Sequence, residues 1–422
     1  MRLARLLVPA LAFGAELQGP SASDLDALYP RVSALYIELH SNPELAFQEK
    51  RTAATLAALL QAQGYEVATG IGETGIVGLL RNGVGPVVML RTELDALPVT
   101  EQTGLPFSSK TPGVMHACGH DLHMAAWAGT AQWMAGHRRQ WHGTLMLIGQ
   151  PAEEVGAGAA AMLKDGLFIR FPKPDFAVAL HDDDTLPAGQ IGYHAGFFRS
   201  AADFLTVTIF GRGGHGAMPQ STVDPVVIAA RTILAWQTIV SREIDPQSPA
   251  VLTVGAIHGG TKNNIIPDQV QLLLSVRTFD PQVRKHVLEA IGRIAKGEAA
   301  AAGAPREPLI EPTPGMLGVQ AVYNDPELTG RLAAALKKGM GPGNVVEMPA
   351  KMTSEDFSEY GLAGVKAVLL HIGAVDAAKL AEARKTGVPV PAPHSPQWAP
   401  VREPTLKAAV QAETIALLDL LN

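Results

Sequence analysis

The chain has one cysteine, Cys118, in 422 residues, so no intrachain disulfide can staple it, and cysteine usage does not separate an oxidising from a reducing compartment. The thiol therefore needs another explanation. Positive charge is not in excess: 34 Lys and Arg against 40 Asp and Glu leave a net charge of −6. That balance argues against broad binding to a phosphate backbone, and no nucleic-acid partner is expected. No apolar run reaches the roughly 20 residues of a membrane-spanning helix, so no integral span is expected. Internal repeats and low-complexity tracts are also missing. With 47% hydrophobic and only 18% charged residues, a disordered or coiled-coil chain is excluded. What is left is a globular chain with, at roughly 150 residues per domain, room for two to three domains.

Residues 1–15 carry Arg2 and Arg5, an apolar run at 6–13, and then the small residues Gly14 and Ala15. The run is short for a bilayer span, and Ala12-Phe13-Gly14 offers a small-x-small cleavage pattern, so the segment reads as a secretory signal peptide. The expectation is export to a periplasm or the medium. The alternative is a cytoplasmic protein in which this run is the first element of the fold.

From Leu25, the apolar residues Leu28, Tyr29, Val32, Leu35, Tyr36 and Leu39 recur at intervals of three and four, which predicts an amphipathic helix ended by Pro43. A second helix carrying Leu56, Leu59 and Leu60 stops at Gly64, and the runs 76–80 and 87–90 read as buried strands. The alternation continues through a helix at 124–134 and strands at 145–148 and 176–180. It predicts an α/β sheet covered by helices, with function at the strand C-termini. Between 198 and 308 the texture changes to strand 204–210, helix 226–240, strands 251–257 and 270–276, and helix 283–301. This block reads as a smaller α+β domain inserted into the larger one. The expected division is 23–197 with 309–422 for the α/β domain and 198–308 for the insert, with an Ala/Gly/Pro-rich return linker at 299–314.

The densest constellation is His116-Ala117-Cys118-Gly119-His120-Asp121-Leu122-His123, with three imidazoles, a thiol and a carboxylate in eight residues. Imidazole and thiolate are preferred ligands of zinc and similar divalent ions, and the Cys-Gly-His turn lets two donors approach one site. Gln150-Pro151-Ala152-Glu153-Glu154 follows directly on the strand at 145–148. Adjacent carboxylates at a strand end diverge, so one can ligate a metal while its neighbour takes a proton from an attacking water. His181 likewise follows the strand at 176–180, and His394 lies in Pro393-His394-Ser395-Pro396. Taken singly, either histidine is more often structural. In the insert, Gly211-Arg212-Gly213-Gly214-His215-Gly216-Ala217 places His215 in a glycine-rich turn after a strand. Arg277, at a strand end, offers a planar fork suited to carboxylate, although a surface ion pair explains it equally well.

These motifs resemble those of the aminoacylase and hippurate hydrolase metallopeptidases, a group that includes indole-acetyl-amino-acid hydrolases. The resemblance covers nearly everything after the signal segment. It rests on His40-Ser41-Asn42-Pro43-Glu44-Leu45, Arg91-Thr92-Glu93-Leu94-Asp95-Ala96-Leu97-Pro98, the block at 116–123, and residues 151–154, 211–219 and 264–267. Ser354-Glu355-Asp356-Phe357 and residues 393–396 complete it. It implies metal ligation by Cys118, His120, Glu154, His181 and His394, with Glu153 as general base. It also implies two divalent ions per subunit (zinc, manganese, cobalt or nickel) and an inserted lid that mediates a homodimer. His215 would be a donor to the substrate carbonyl, commonly delivered to the other subunit's site, with Asn264 and Arg277 as substrate-binding residues on the lid.

The expected activity is metal-dependent hydrolysis of the amide of an N-acyl amino acid or related small conjugate, releasing a carboxylic acid and an amino acid. A dipeptidase or carboxypeptidase on the same site is the alternative within the family. A metal-free cysteine amidase using Cys118 with His120 or His123 is the alternative outside it. There are two departures from the resemblance: Glu93 stands where relatives often have Asp, and Asp182, Asp183 and Asp184 follow His181. The first is expected to change support of the metal shell by one methylene. The second is expected to bias the site against acidic substrates.

Overall fold

The computed structural model describes residues 19–422; the signal expected at 1–15 lies outside them. An eight-stranded sheet runs in the order Glu66–Ile71, Gly75–Asn82, Gly143–Gln150, Val87–Glu93, Phe176–Pro187, Lys366–Val375, Ile191–Tyr193, Val345–Glu347. At its centre, Val87–Glu93 lies parallel to both Gly143–Gln150 and Phe176–Pro187, and the latter is parallel to Lys366–Val375. Helices Ala22–Ser41, His120–Gly136 and Arg402–Leu420 contribute to the core on one face. Met162, Leu167, Phe357 and Tyr360 pack in a second apolar cluster. Both faces being covered explains why Val87–Glu93 is apolar along most of its length and buried from its second residue onward. Among the described residues, no helix is long and apolar enough to cross a membrane.

A second sheet has the order Ala250–Gly259, Gln269–Thr278, Ala201–Phe210, Leu309–Pro312. Burial alternates residue by residue along Gln269–Thr278, the sign of a sheet covered on one face. Its buried side packs with Trp236 of helix Pro225–Thr238 and Val287 and Ile291 of helix Pro281–Ala301. Both helices open on an Asp cap followed by Pro, Asp224-Pro225 and Asp280-Pro281, so each start is set locally.

Two sequence expectations need correction. The segment at 299–314 is not a linker throughout. Leu309–Pro312 adds an edge strand to the smaller sheet, pairing Leu309 with Thr208 and Pro312 with Leu205. Proline is tolerated there because an edge strand has one unpaired side. The strand expected to stop at Leu180 continues to Pro187, because Lys366–Val375 pairs with it beyond His181.

Candidate metal centre and active site

Strand register builds the site. Glu93 pairs with Gln150, and Arg91 with Ala179, so the three parallel strands deliver Asp95, Glu153 with Glu154, and His181 at one edge of the sheet. Helix His120–Gly136 starts at the same place. Its cap residue Gly119 has φ 74°, and a side chain there would collide with the Asp182 carboxylate, so the Cys-Gly-His turn requires its glycine. Two non-glycine residues are also left-handed: Ala152, with φ 51°, just before Glu153, and His394, with φ 71°. Strain of this kind persists where the surroundings over-determine it. The Ala152 N–H donates to buried Glu49 at 2.9 Å, and the His394 N–H donates to the Ala117 carbonyl at 2.7 Å.

The expected donors converge. Cys118 Sγ lies 3.5 Å from His181 Nε2, His394 Nε2 lies 3.3 Å from Glu154 Oε2, and His120 Nε2 lies 3.9 Å from both Glu153 Oε2 and Glu154 Oε1. Three overlapping groups, Cys118 with His120 and His181, Cys118 with Glu154 and His394, and His120 with Glu153 and Glu154, each bring their donor atoms within 4.8 Å of one another. The His120 Nδ1–H donates to the Asp95 carbonyl at 2.8 Å and the His181 Nδ1–H to the Asp182 carbonyl at 2.8 Å. Both Nε2 lone pairs are thereby left for a ligand. His120 Nε2 and Glu154 Oε1 are buried without any hydrogen-bond partner, a costly state unless something else binds them. A sulfur, nitrogen and carboxylate donor set with orphaned atoms fits divalent metal.

Burial, and after it the neighbouring carboxylates Glu355 and Glu154, push Glu153 well above the usual carboxylate range. This is the direction that makes a carboxylate a better base near neutral pH. Burial, and then Glu154, also push the Cys118 thiol well up. That opposes the thiolate a metal-free cysteine amidase needs.

Several supporting residues were not assigned from sequence. Asp95 bonds His120 through its carbonyl and accepts the Glu154 N–H at 2.9 Å, so it orients two donors at once. Arg91 is fully buried and binds Glu93, Glu355 (2.8 Å), Asp356 (3.0 Å) and Gln150 (2.9 Å). Glu93 reaches from Arg91 to His123 Nδ1 at 3.0 Å, and His123 Nε2 accepts the Asp182 N–H at 2.8 Å. Glu93 thus hydrogen-bonds His123, and its carboxylate also lies within 4.8 Å of the donor nitrogens of His120 and His123. The stretches at 91–98, 116–123 and 354–357 and the Gln150 motif marked these residues as conspicuous, without indicating which of them meet.

The aspartates after His181 are mostly engaged. Asp182 accepts from Trp398 Nε1 at 2.9 Å, and Asp183 lies 2.6 Å from both His371 Nδ1 and Lys351 Nζ. Lys351 also reaches Asp184 at 3.4 Å. Lys351 thus offsets one unit of this negative charge, shared between Asp183 and Asp184, while Asp182 is held by a neutral indole donor. The same cleft, of about 670 Å³, is lined by Cys118, Glu153, Glu154, His181, His394 and Arg277. It does not include His215 or Asn264. His215 is exposed on Gly214–His215, which pairs with Ile265–Ile266 next to Asn264. These residues follow the Phe210–Gln269 end of the smaller sheet, whereas Arg277 sits at the opposite end beside Ala202, roughly 25 Å of strand away.

The profile of peptidase family M20/M25/M40 matches residues 89–385. The chain belongs to this family. It is 40% identical over 283 residues to the hippurate hydrolase of Campylobacter jejuni, covering 67% of this chain and 72% of the relative. It is 35% identical over 338 residues to the N-acetyl-L-cysteine deacetylase of Bacillus subtilis, covering 80% and 79%. A solved Bacillus subtilis structure described as a dinuclear metal-binding peptidase of the M20 family superposes with a TM-score of 0.77 at 29% identity, covering 94% of this chain and 99% of that one. This M20 chain is a metal-dependent amidohydrolase.

Proposed function

We propose that this M20 enzyme hydrolyses the amide of N-acyl amino acids or related small conjugates, with Cys118, His120, Glu154, His181 and His394 holding two divalent ions. The carrying observation is the convergence of these donors with Glu153 in one cleft that also holds the Arg277 guanidinium. Bound there, the ions would supply Lewis acidity toward the acyl carbonyl. Glu153 takes the proton of the attacking water and returns it to the leaving amine, and Arg277 receives the substrate carboxylate. Incubating metal-loaded protein with N-acetyl, N-benzoyl and N-lauroyl amino acids, alongside elemental analysis, should release free amino acid and find zinc, manganese, cobalt or nickel. No release from any of them by metal-loaded protein would sink the reading.

As a ligand, Cys118 is expected to resist alkylation in metal-loaded protein and to react after chelation. Mass spectrometry of alkylated protein before and after chelator reads this directly. Activity surviving exhaustive chelation would instead favour the cysteine mechanism.

His215 and Asn264 lie far from the cleft of their own subunit, which supports delivery of His215 to a homodimer partner's site as an oxyanion donor. Subunit exchange between inactive His215→Ala and inactive Glu153→Gln proteins should then restore activity, because one hybrid site holds both native residues. Heterodimers with no gain over either parent would reject sharing. We also propose export, with a mature N-terminus near Ala15. N-terminal sequencing after expression in a secretion-competent bacterium checks it, and an intact Met1 or Arg2 on active protein would refute it.

A further inference from the structure

Arg199, the last residue of strand Gly196–Arg199, lines the same cleft and is 6% exposed. Its Nε donates to His371 Nε2 at 3.2 Å and its Nη1 to Thr353 Oγ1 at 2.5 Å. Both partners are neutral, because the His371 Nδ1–H is committed to Asp183 and burial, with Arg199 beside it, lowers the imidazole to about 3. Lys351 takes up Asp183 and Asp184. Among the described residues, no carboxylate lies within ion-pair distance of Arg199, and its Nη2 has no protein partner. Arg277 is in the same condition. It donates to Ser354 Oγ at 2.8 Å, lies 5.3 Å over the Phe204 ring and pairs with no carboxylate, while its neighbour Asp203 is bound to Arg284. Buried cations without counter-charge are costly. Here a buried one, Arg199, and a half-buried one, Arg277, share one wall, tied to the consecutive hydroxyls of Thr353 and Ser354.

An amino-acid carboxylate occupies one guanidinium fork. Given the amidohydrolase reading above, on which this rests, we infer that Arg199 binds a second substrate carboxylate, so that the preferred substrates are N-acyl amino acids carrying two. The second carboxylate belongs either to a dicarboxylic amino acid or to a dicarboxylic acyl group.

Near-isosteric pairs separate these sources. N-acetyl-glutamate against N-acetyl-glutamine tests the amino-acid side, and N-succinyl-leucine against its terminal succinamide tests the acyl side. For at least one pair, the metal-loaded enzyme should favour the acid by about 10- to 100-fold in kcat/KM, the scale of a charge-assisted hydrogen-bonded pair. Arg199→Met should collapse that ratio to near one, mainly through the acid's KM, and Arg199→Lys should retain part of it. A structural role alone would shift both members of a pair together. Ratios near one for both pairs in the native enzyme, or a ratio that survives Arg199→Met, would overturn the inference while hydrolysis upholds the amidohydrolase reading. Hydrolysis of none of the four compounds overturns the inference, and the amidohydrolase reading falls with it only when the N-benzoyl and N-lauroyl amino acids also go uncleaved.

Discussion

Glu153→Gln is expected to lower kcat by about 10²–10⁴-fold, the usual worth of a positioned general base, while metal content stays near native. The amide keeps the shape of the side chain and cannot accept the proton of water. Glu153 sits 3.9 Å from His120 Nε2, almost buried and pushed up by burial and by Glu355 and Glu154. Glu154 should behave differently. Its Oε1 is an orphaned buried acceptor and its Oε2 faces His394 at 3.3 Å, so Glu154→Gln removes a donor's charge and should lower metal occupancy first. Steady-state kinetics with metal analysis on both variants separates the roles. A Glu153→Gln enzyme with substantial kcat would end the general-base assignment.

Arg91→Met should destabilise the fold by about 3–5 kcal/mol, because it leaves several carboxylates in a buried site without their cation. Glu93, Glu355 and Asp356 all converge on that one guanidinium, and all are nearly or wholly inaccessible. The melting temperature should fall by roughly 3–8 °C. Even with Arg91 present, burial raises Asp356 to about 7. Without the cation, these acids should bind protons in the fold that they do not bind when unfolded, so stability falls as pH rises. The deficit against native protein should be smaller at pH 5 than at pH 8. Thermal unfolding at both pH values checks this, and an unchanged melting temperature at pH 8 would show that the network carries no such load.

The donor residues were legible because their signals are local. Eight residues hold Cys118, His120 and His123, and Glu153-Glu154 follows an apolar run. The helix and strand pattern of the smaller sheet was equally readable, since its helices open on Asp-Pro caps and its strand Gln269–Thr278 alternates in burial. The edge strand Leu309–Pro312 was not, because four residues between glycine- and proline-rich stretches show too short a pattern for either period. Arg199 was equally silent. One arginine after two phenylalanines gives no hint that its charge goes unpaired, and that state depends on Lys351 taking Asp183 and Asp184.

By itself the sequence determined which side chains carry chemistry and which local turns present them. Residue type fixes ligand affinity, and short-range patterns of burial, capping and glycine placement set the local backbone. Only the tertiary structure decided which of these groups meet. The Arg91–Glu355 pair spans 264 positions and His394 approaches Glu154 from near the far end of the chain, separations at which no local periodicity carries information. It also decided where charge is cancelled and where it is left over, because compensation is a property of distance in space: Asp183 is neutralised, whereas Arg199 and Arg277 face the cleft without a counter-charge.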